Sequence, residues 1–105
     1  MILTRHDHRE WSDTGFPGIQ TCPTWSGKEG DGGYFARFQA GAHFPRHAHD
    51  GWEQIFVLHG AIRFNDVEIR AGDVLQVQGS DQHEAHALEE TVLFVAHRGG
   101  IDLVP

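Results

Sequence analysis

The chain has 105 residues, with eight Lys and Arg against fifteen Asp and Glu and a formal charge of −7. That balance excludes the electrostatic footprint of a nucleic-acid or anionic-membrane binder, and 39% hydrophobic with 10% aromatic residues excludes a disordered tail. A single cysteine, Cys22, excludes an intrachain disulfide, and no run approaches the ~18 apolar residues of a membrane span, so one cytoplasmic domain is expected.

In chain order, residues 1–33 read as an irregular N-terminal arm of the same domain. The arm carries Pro17 and Pro23 and ends in SGKEGDGG, a flexible hairpin tip. A short edge strand is expected near Ile19–Cys22. From Tyr34 the texture changes, and a barrel is expected over 34–105. YFARF (34–38), EQIFVL (53–58), AIRF (61–64), VEIR (67–70), VLQVQ (74–78) and TVLFV (91–95) are short segments rich in β-branched and aromatic residues. Turn signals separate them, and Asn65-Asp66 between two alternating runs predicts a two-residue hairpin. No stretch sustains a helical period. Short strands at these intervals predict an all-β sandwich or barrel.

Between Ala42 and Gly60 stand four of the nine histidines. In a strand, residues i and i+2 project to one face, so His47 and His49 point the same way. A straight chain would carry Glu53 about 13 Å beyond His49; the chain must turn, and Asp50-Gly51 is the turn signal. A three-residue hairpin loop, Asp50-Gly51-Trp52, is expected to pair His49 with Glu53 and to set Ile55 and Val57 on the same face. A carboxylate among apolar neighbours requires a partner, and a divalent cation supplies one. His83, after the turn GSDQ, is the histidine that antiparallel pairing would bring back across the sheet. Imidazole with carboxylate suits Zn, Fe, Mn, Ni or Co.

These residues resemble the cupin superfamily. Its first motif is a glycine, five residues, His-x-His, three or four residues, Glu, six residues and a glycine, matched by Gly41, His47, His49, Glu53 and Gly60 without a gap. The second motif is matched by Gly72 and His83, while Gln78, Ser80 and Ala87 replace its proline, second glycine and asparagine. The resemblance covers residues 34–97. It implies an antiparallel jelly-roll barrel, a double-stranded β-helix, with one divalent transition metal held by His47, His49, Glu53 and His83. It also implies a small-molecule ligand or substrate and a homodimer. Within the superfamily, AGAHFPRHAHDGWEQIFVLHG with the later AGD and LFVAHRGG is similar to the cupin domain of ChrR-type anti-sigma factors and to dihydroxyacetophenone dioxygenase-like cupins. The chain shows no counterpart of the helical sigma-binding domain, so a sigma-factor role is not expected.

Two functions follow as expectations: a metal-dependent enzyme, dioxygenase-like or an isomerase or lyase, or a non-catalytic metal- or small-ligand-binding or sensor domain of the ChrR-like cupin type. Phe38, Ile55, Val57 and Phe94 are expected in the pocket wall with His43, which shares the parity of His47 across Pro45. Arg37, Gln54 and His43 are candidates for acid or base. His86, three residues from His83, falls on the other strand face. His59 and His97 read as surface or interface groups, His6 and His8 as sources of adventitious metal binding, and Cys22 as a passive thiol with no activating base pattern.

Overall fold

The structure is a computed structural model that describes residues 1–104. Its strands are β1 (Ser12–Asp13), β2 (Ile19–Ser26), β3 (Asp31–Phe38), β4 (His43–His49), β5 (Trp52–His59), β6 (Ala61–Phe64), β7 (Val67–Arg70), β8 (Val74–Gln78), β9 (His83–Ala87), β10 (Thr91–Arg98) and β11 (Ile101–Leu103). They form a six-stranded sheet in the order β1-β2-β3-β10-β5-β8 and a five-stranded sheet in the order β11-β4-β9-β6-β7. All pairings are antiparallel. This is the jelly-roll arrangement of an all-β domain.

Alternation in the sequence decides what each sheet buries. Glu53, Ile55 and Val57 on β5, His83, Ala85 and Ala87 on β9, and Thr91, Leu93 and Val95 on β10 all point inward and are buried. With Phe38, Ile62, Phe64, Ile69 and Val77 they close one core between the two sheets. The expected Asn65-Asp66 hairpin joins β6 to β7, with Phe64 opposite Val67 and Asn65 in the left-handed region at φ 54°.

Three features differ from the expectations. The N-terminal arm is not irregular throughout. Ile19–Ser26 is an eight-residue strand lying between β1 and β3, and β3 begins at Asp31, ahead of the change in texture at Tyr34. Long-range pairing with β3 overrides Pro23, and the register slips between Pro23 and Trp25 to accommodate this residue, which has no N–H to donate. A short strand, β11, also pairs with β4 at its edge.

The third difference concerns the turn before Glu53. β4 and β5 are not a hairpin; they belong to different sheets, and Asp50-Gly51 is a two-residue crossing between them. Gly51 is required there by close approach. A Cβ on it would lie 2.1 Å from the carbonyl oxygen of Arg98. His49 and Glu53 therefore face each other across the barrel interior rather than along a ladder.

Candidate metal centre

His47 and His49 leave β4 on its inner face, and His83 is the direct register partner of His47 on β9. Glu53 comes from β5 in the opposite sheet. All four side chains are buried. His83 Nε2 lies 2.9 Å from His47 Nε2, His49 Nε2 lies 3.0 Å from Glu53 Oε1, and His83 Nε2 lies 3.4 Å from the same oxygen. One donor atom from each residue falls within 4.8 Å of all the others. The structure thus brings together the four residues that the sequence singled out.

The donor set fits a divalent transition ion on three observations. Metal–nitrogen bonds of about 2.0–2.1 Å place neighbouring donors about 2.9 Å apart at right angles and about 3.4 Å apart in a tetrahedron, the range spanned by the three contacts above. The Nδ1–H of His47 donates to the carbonyl of Pro45 at 2.9 Å, which leaves Nε2 as a bare lone pair aimed inward. Neither ring nitrogen of His49 makes a hydrogen bond, although both are buried; its Nε2 is near Glu53 but out of line with it. An unpartnered buried polar atom costs about 1–3 kcal/mol, which coordination at Nε2 offsets.

Electrostatics agree with that geometry. Burial opposes ionisation of Glu53, but contacts with His49 and His83 outweigh it and bring the carboxyl down to about 2. Burial lowers His47 from its ordinary value, against the opposing hydrogen bond to Pro45. A charged carboxylate beside a neutral imidazole is the protonation state a metal ligand requires.

Beside the cluster runs an apolar cavity of about 80 Å³ whose wall includes Tyr34, Phe38, Phe44, Ile55, Phe64 and Leu93, and which His47, Glu53 and His83 also line. Of the expected wall residues, Phe38 and Ile55 line it. Val57 is buried in the core but is not part of the wall. Phe94 lies on the opposite face of β10, against Phe35 and Phe56. His43 points outward. Between Phe44 and His47, β4 carries one residue more than β9, since Phe44 pairs with Ala85 and His47 with His83. This bulge at Pro45-Arg46 reverses the parity, turning Phe44 into the cavity and His43 out. Arg37 and Gln54 also leave the barrel on its outer side. Arg37 bonds Gln20 and covers the Trp11 ring, and Gln54 sits in an outer groove with Trp52 and Gln76.

Sequence reasoning passed over Tyr34 and Phe44. Tyr34 sets a phenol in the cavity wall; burial, then the charge of Glu53, push it up from its ordinary value, so it stays protonated. The signal available was parity with Ala36 and Phe38 along YFARF.

Comparisons with known proteins agree with this architecture. A chain of the RmlC-like cupin protein of Ralstonia eutropha JMP134 superposes with a TM-score of 0.86 at 18% identity, covering 96% of this chain and 70% of that one. The acetylacetone dioxygenase of Acinetobacter johnsonii gives 0.86 at 14% identity, over 100% of this chain and 77% of that one. A chain in the complex of Rhodobacter sphaeroides SigE with the anti-sigma ChrR gives 0.77 at 24% identity, over 88% of this chain. This chain spans half the length of that one. At these identities the likeness is one of fold. A comparison with curated protein sequences finds no match. The sequence itself matches the ChrR cupin-like domain family over residues 1–102, which is nearly its full length, and with the barrel and its buried His/Glu cluster this makes the chain a member of that cupin family.

Proposed function

We propose that His47, His49, Glu53 and His83 hold one divalent transition metal and that the protein is a metal-dependent enzyme acting on a small, uncharged, oxygen-bearing molecule. The observation that carries the reading is the apolar cavity running up to His47, Glu53 and His83, three of the four donors: a purely structural ion would be enclosed by ligands, whereas here one side faces space for a ligand. A metal held there supplies Lewis acidity to a bound oxygen and, if it is iron, access to dioxygen.

The chain's own residues supply the rest. Phe38, Phe44, Ile55, Phe64, Leu93 and Val95 exclude water and favour an apolar ligand body. Among the described residues no lysine or arginine lines the cavity, which disfavours phosphorylated or carboxylated substrates. The protonated Tyr34 phenol offers a hydrogen-bond donor to a ligand oxygen. Acetylacetone, on which the Acinetobacter neighbour is named as acting, has this character, so dioxygenase chemistry on a small dicarbonyl is the first reaction to examine; isomerase or lyase chemistry is the alternative with a redox-inert ion.

A second reading, a ligand-sensing domain without turnover, is favoured by the family match to ChrR cupin-like domains. The test is elemental analysis of tag-free protein, followed by oxygen uptake with the iron(II)-loaded chain and acetylacetone, under air and under nitrogen. We expect about one metal per chain at this inner cluster, its affinity there reduced at least tenfold in His49→Ala. Metal bound with no turnover on a panel of small carbonyl compounds favours the sensor; full occupancy retained in His49→Ala overturns the ligand assignment.

A further inference from the structure

The outer face of the strands that carry the inner cluster holds a second set of donors. His43 on β4 and His86 on β9 are direct register partners, and their rings stack with centroids 4.2 Å apart and planes 23° apart. Glu84, two residues before His86 and so on the same outward row, sets Oε2 3.2 Å from His43 Nε2. One donor atom from each of the three lies within 4.8 Å of the other two. The bulge at Pro45-Arg46 creates the arrangement. The register that pairs His47 with His83 inside the barrel would set His43 opposite Ala87; the one-residue slip sets it opposite His86 on the outer face. The backbone beneath is held in place, since Glu84 N–H donates to Asn65 Oδ1 at 3.1 Å.

The surroundings select the kind of ion. Arg46 lies close enough to Glu84 to help depress its carboxyl, after the larger effect of the His43 contact, and Arg63 on β6 is the register partner of His86. A single carboxylate, with the Arg46 charge acting on it, disfavours Ca²⁺ or Mg²⁺, which need several anionic oxygens. Two imidazoles favour ions that bond to nitrogen. The side chains of His43 and Glu84 are 43% and 35% exposed, so an ion reaches them from solvent, and small rotations bring the nitrogens to bonding distances of about 2.0–2.1 Å.

We propose that His43, Glu84 and His86 form a second, solvent-facing site for a nitrogen-preferring divalent ion such as Zn²⁺, Ni²⁺ or Cu²⁺, separate from the inner cluster, with water completing its coordination. The site does not depend on the inner one being occupied.

Zinc titration of the tag-free chain in competition with a chromophoric chelator tests this, together with anomalous diffraction at the zinc edge from zinc-soaked crystals. We expect two ions per chain, one of them between His43 and His86. The double substitution His43→Ala/His86→Ala should weaken the outer ion at least tenfold and leave the inner ion and the far-ultraviolet circular dichroism unchanged. His6→Ala/His8→Ala should keep both ions, because the N-terminal arm is the competing source of imidazole. His49→Ala should lose the inner ion only. The proposal is overturned if His43→Ala/His86→Ala binds as much zinc as the parent chain, if the second ion disappears with His6 and His8, or if no anomalous peak lies between the two rings.

Discussion

At the scale of single residues, the site is a problem of buried charge. Glu53 has no lysine or arginine partner among the described residues; its ion-pair contacts are His49 and His83. His47 is fixed by its bond to Pro45 with a lone pair pointing inward, and neither nitrogen of the buried His49 makes a hydrogen bond. A cation held between them, as proposed, would answer the charge of Glu53, the lone pair of His47 and the Nε2 of His49 together. Tyr34 makes a separable contribution. Tyr34→Phe keeps the apolar ring and removes only the hydroxyl, so metal content should be unchanged while a carbonyl ligand binds about 1 kcal/mol, or roughly fivefold, more weakly. Calorimetric titration of the metal-loaded variant reads both quantities. The Arg37, Gln54 and His43 side chains that sequence offered as acids or bases leave the barrel outward, so Tyr34 is the ionisable group of the cavity wall outside the ligand set.

At the scale of elements, two short segments hold the mouth of the site. Asn65 closes the β6–β7 turn at a positive φ and ties it to β9, since its Nδ2 donates to Gln82 O and its Oδ1 accepts from Glu84 N, both at 3.1 Å. Asn65→Gly should cost about 1–2 kcal/mol through the lost hydrogen bonds. Asn65→Val should cost more, because a β-branched residue adds strain at that φ; chemical denaturation measures the difference. β11 is held on β4 by its ladder, and its Asp102 neighbours Asp50. The hydrogen bond its protonated carboxyl donates to Asp50, then the charge of Asp50, raise Asp102 above its ordinary value. A raised carboxyl binds its proton more tightly in the folded chain than in the unfolded one. Its contribution is therefore complete below the usual Asp value of about 3.9 and is lost as pH rises through the raised one. Amide protection factors in Ile101–Leu103, compared with those in β10, should fall as pH rises across that interval.

For the whole molecule, the donor set is shared between the sheets: His47, His49 and His83 belong to the five-stranded sheet and Glu53 to the six-stranded one. An ion held by the proposed donors would therefore clasp the two layers together. Metal at a hundredfold excess over its Kd should add about 2.7 kcal/mol to stability, visible as a rise in thermal midpoint that a chelator reverses. The His49→Ala chain should show little of that rise. No helix among the described residues is long and apolar enough to cross a membrane.

The sequence alone determined the local features. Period-2 alternation, Asn65-Asp66 and the spacing of His47, His49, Glu53 and His83 were legible because strand parity, turn chemistry and a fixed motif depend on neighbours in the chain. Tertiary structure decided the rest: that Glu53 crosses to the other sheet instead of closing a hairpin, that Ile19–Ser26 is a strand beside β3, and that one extra residue at Pro45-Arg46 exchanges Phe44 for His43 on the inner face. Each of these is set by pairing between distant segments. A single unpaired residue reverses every side chain beyond it, and the sequence of one strand does not record where its partner's register will slip.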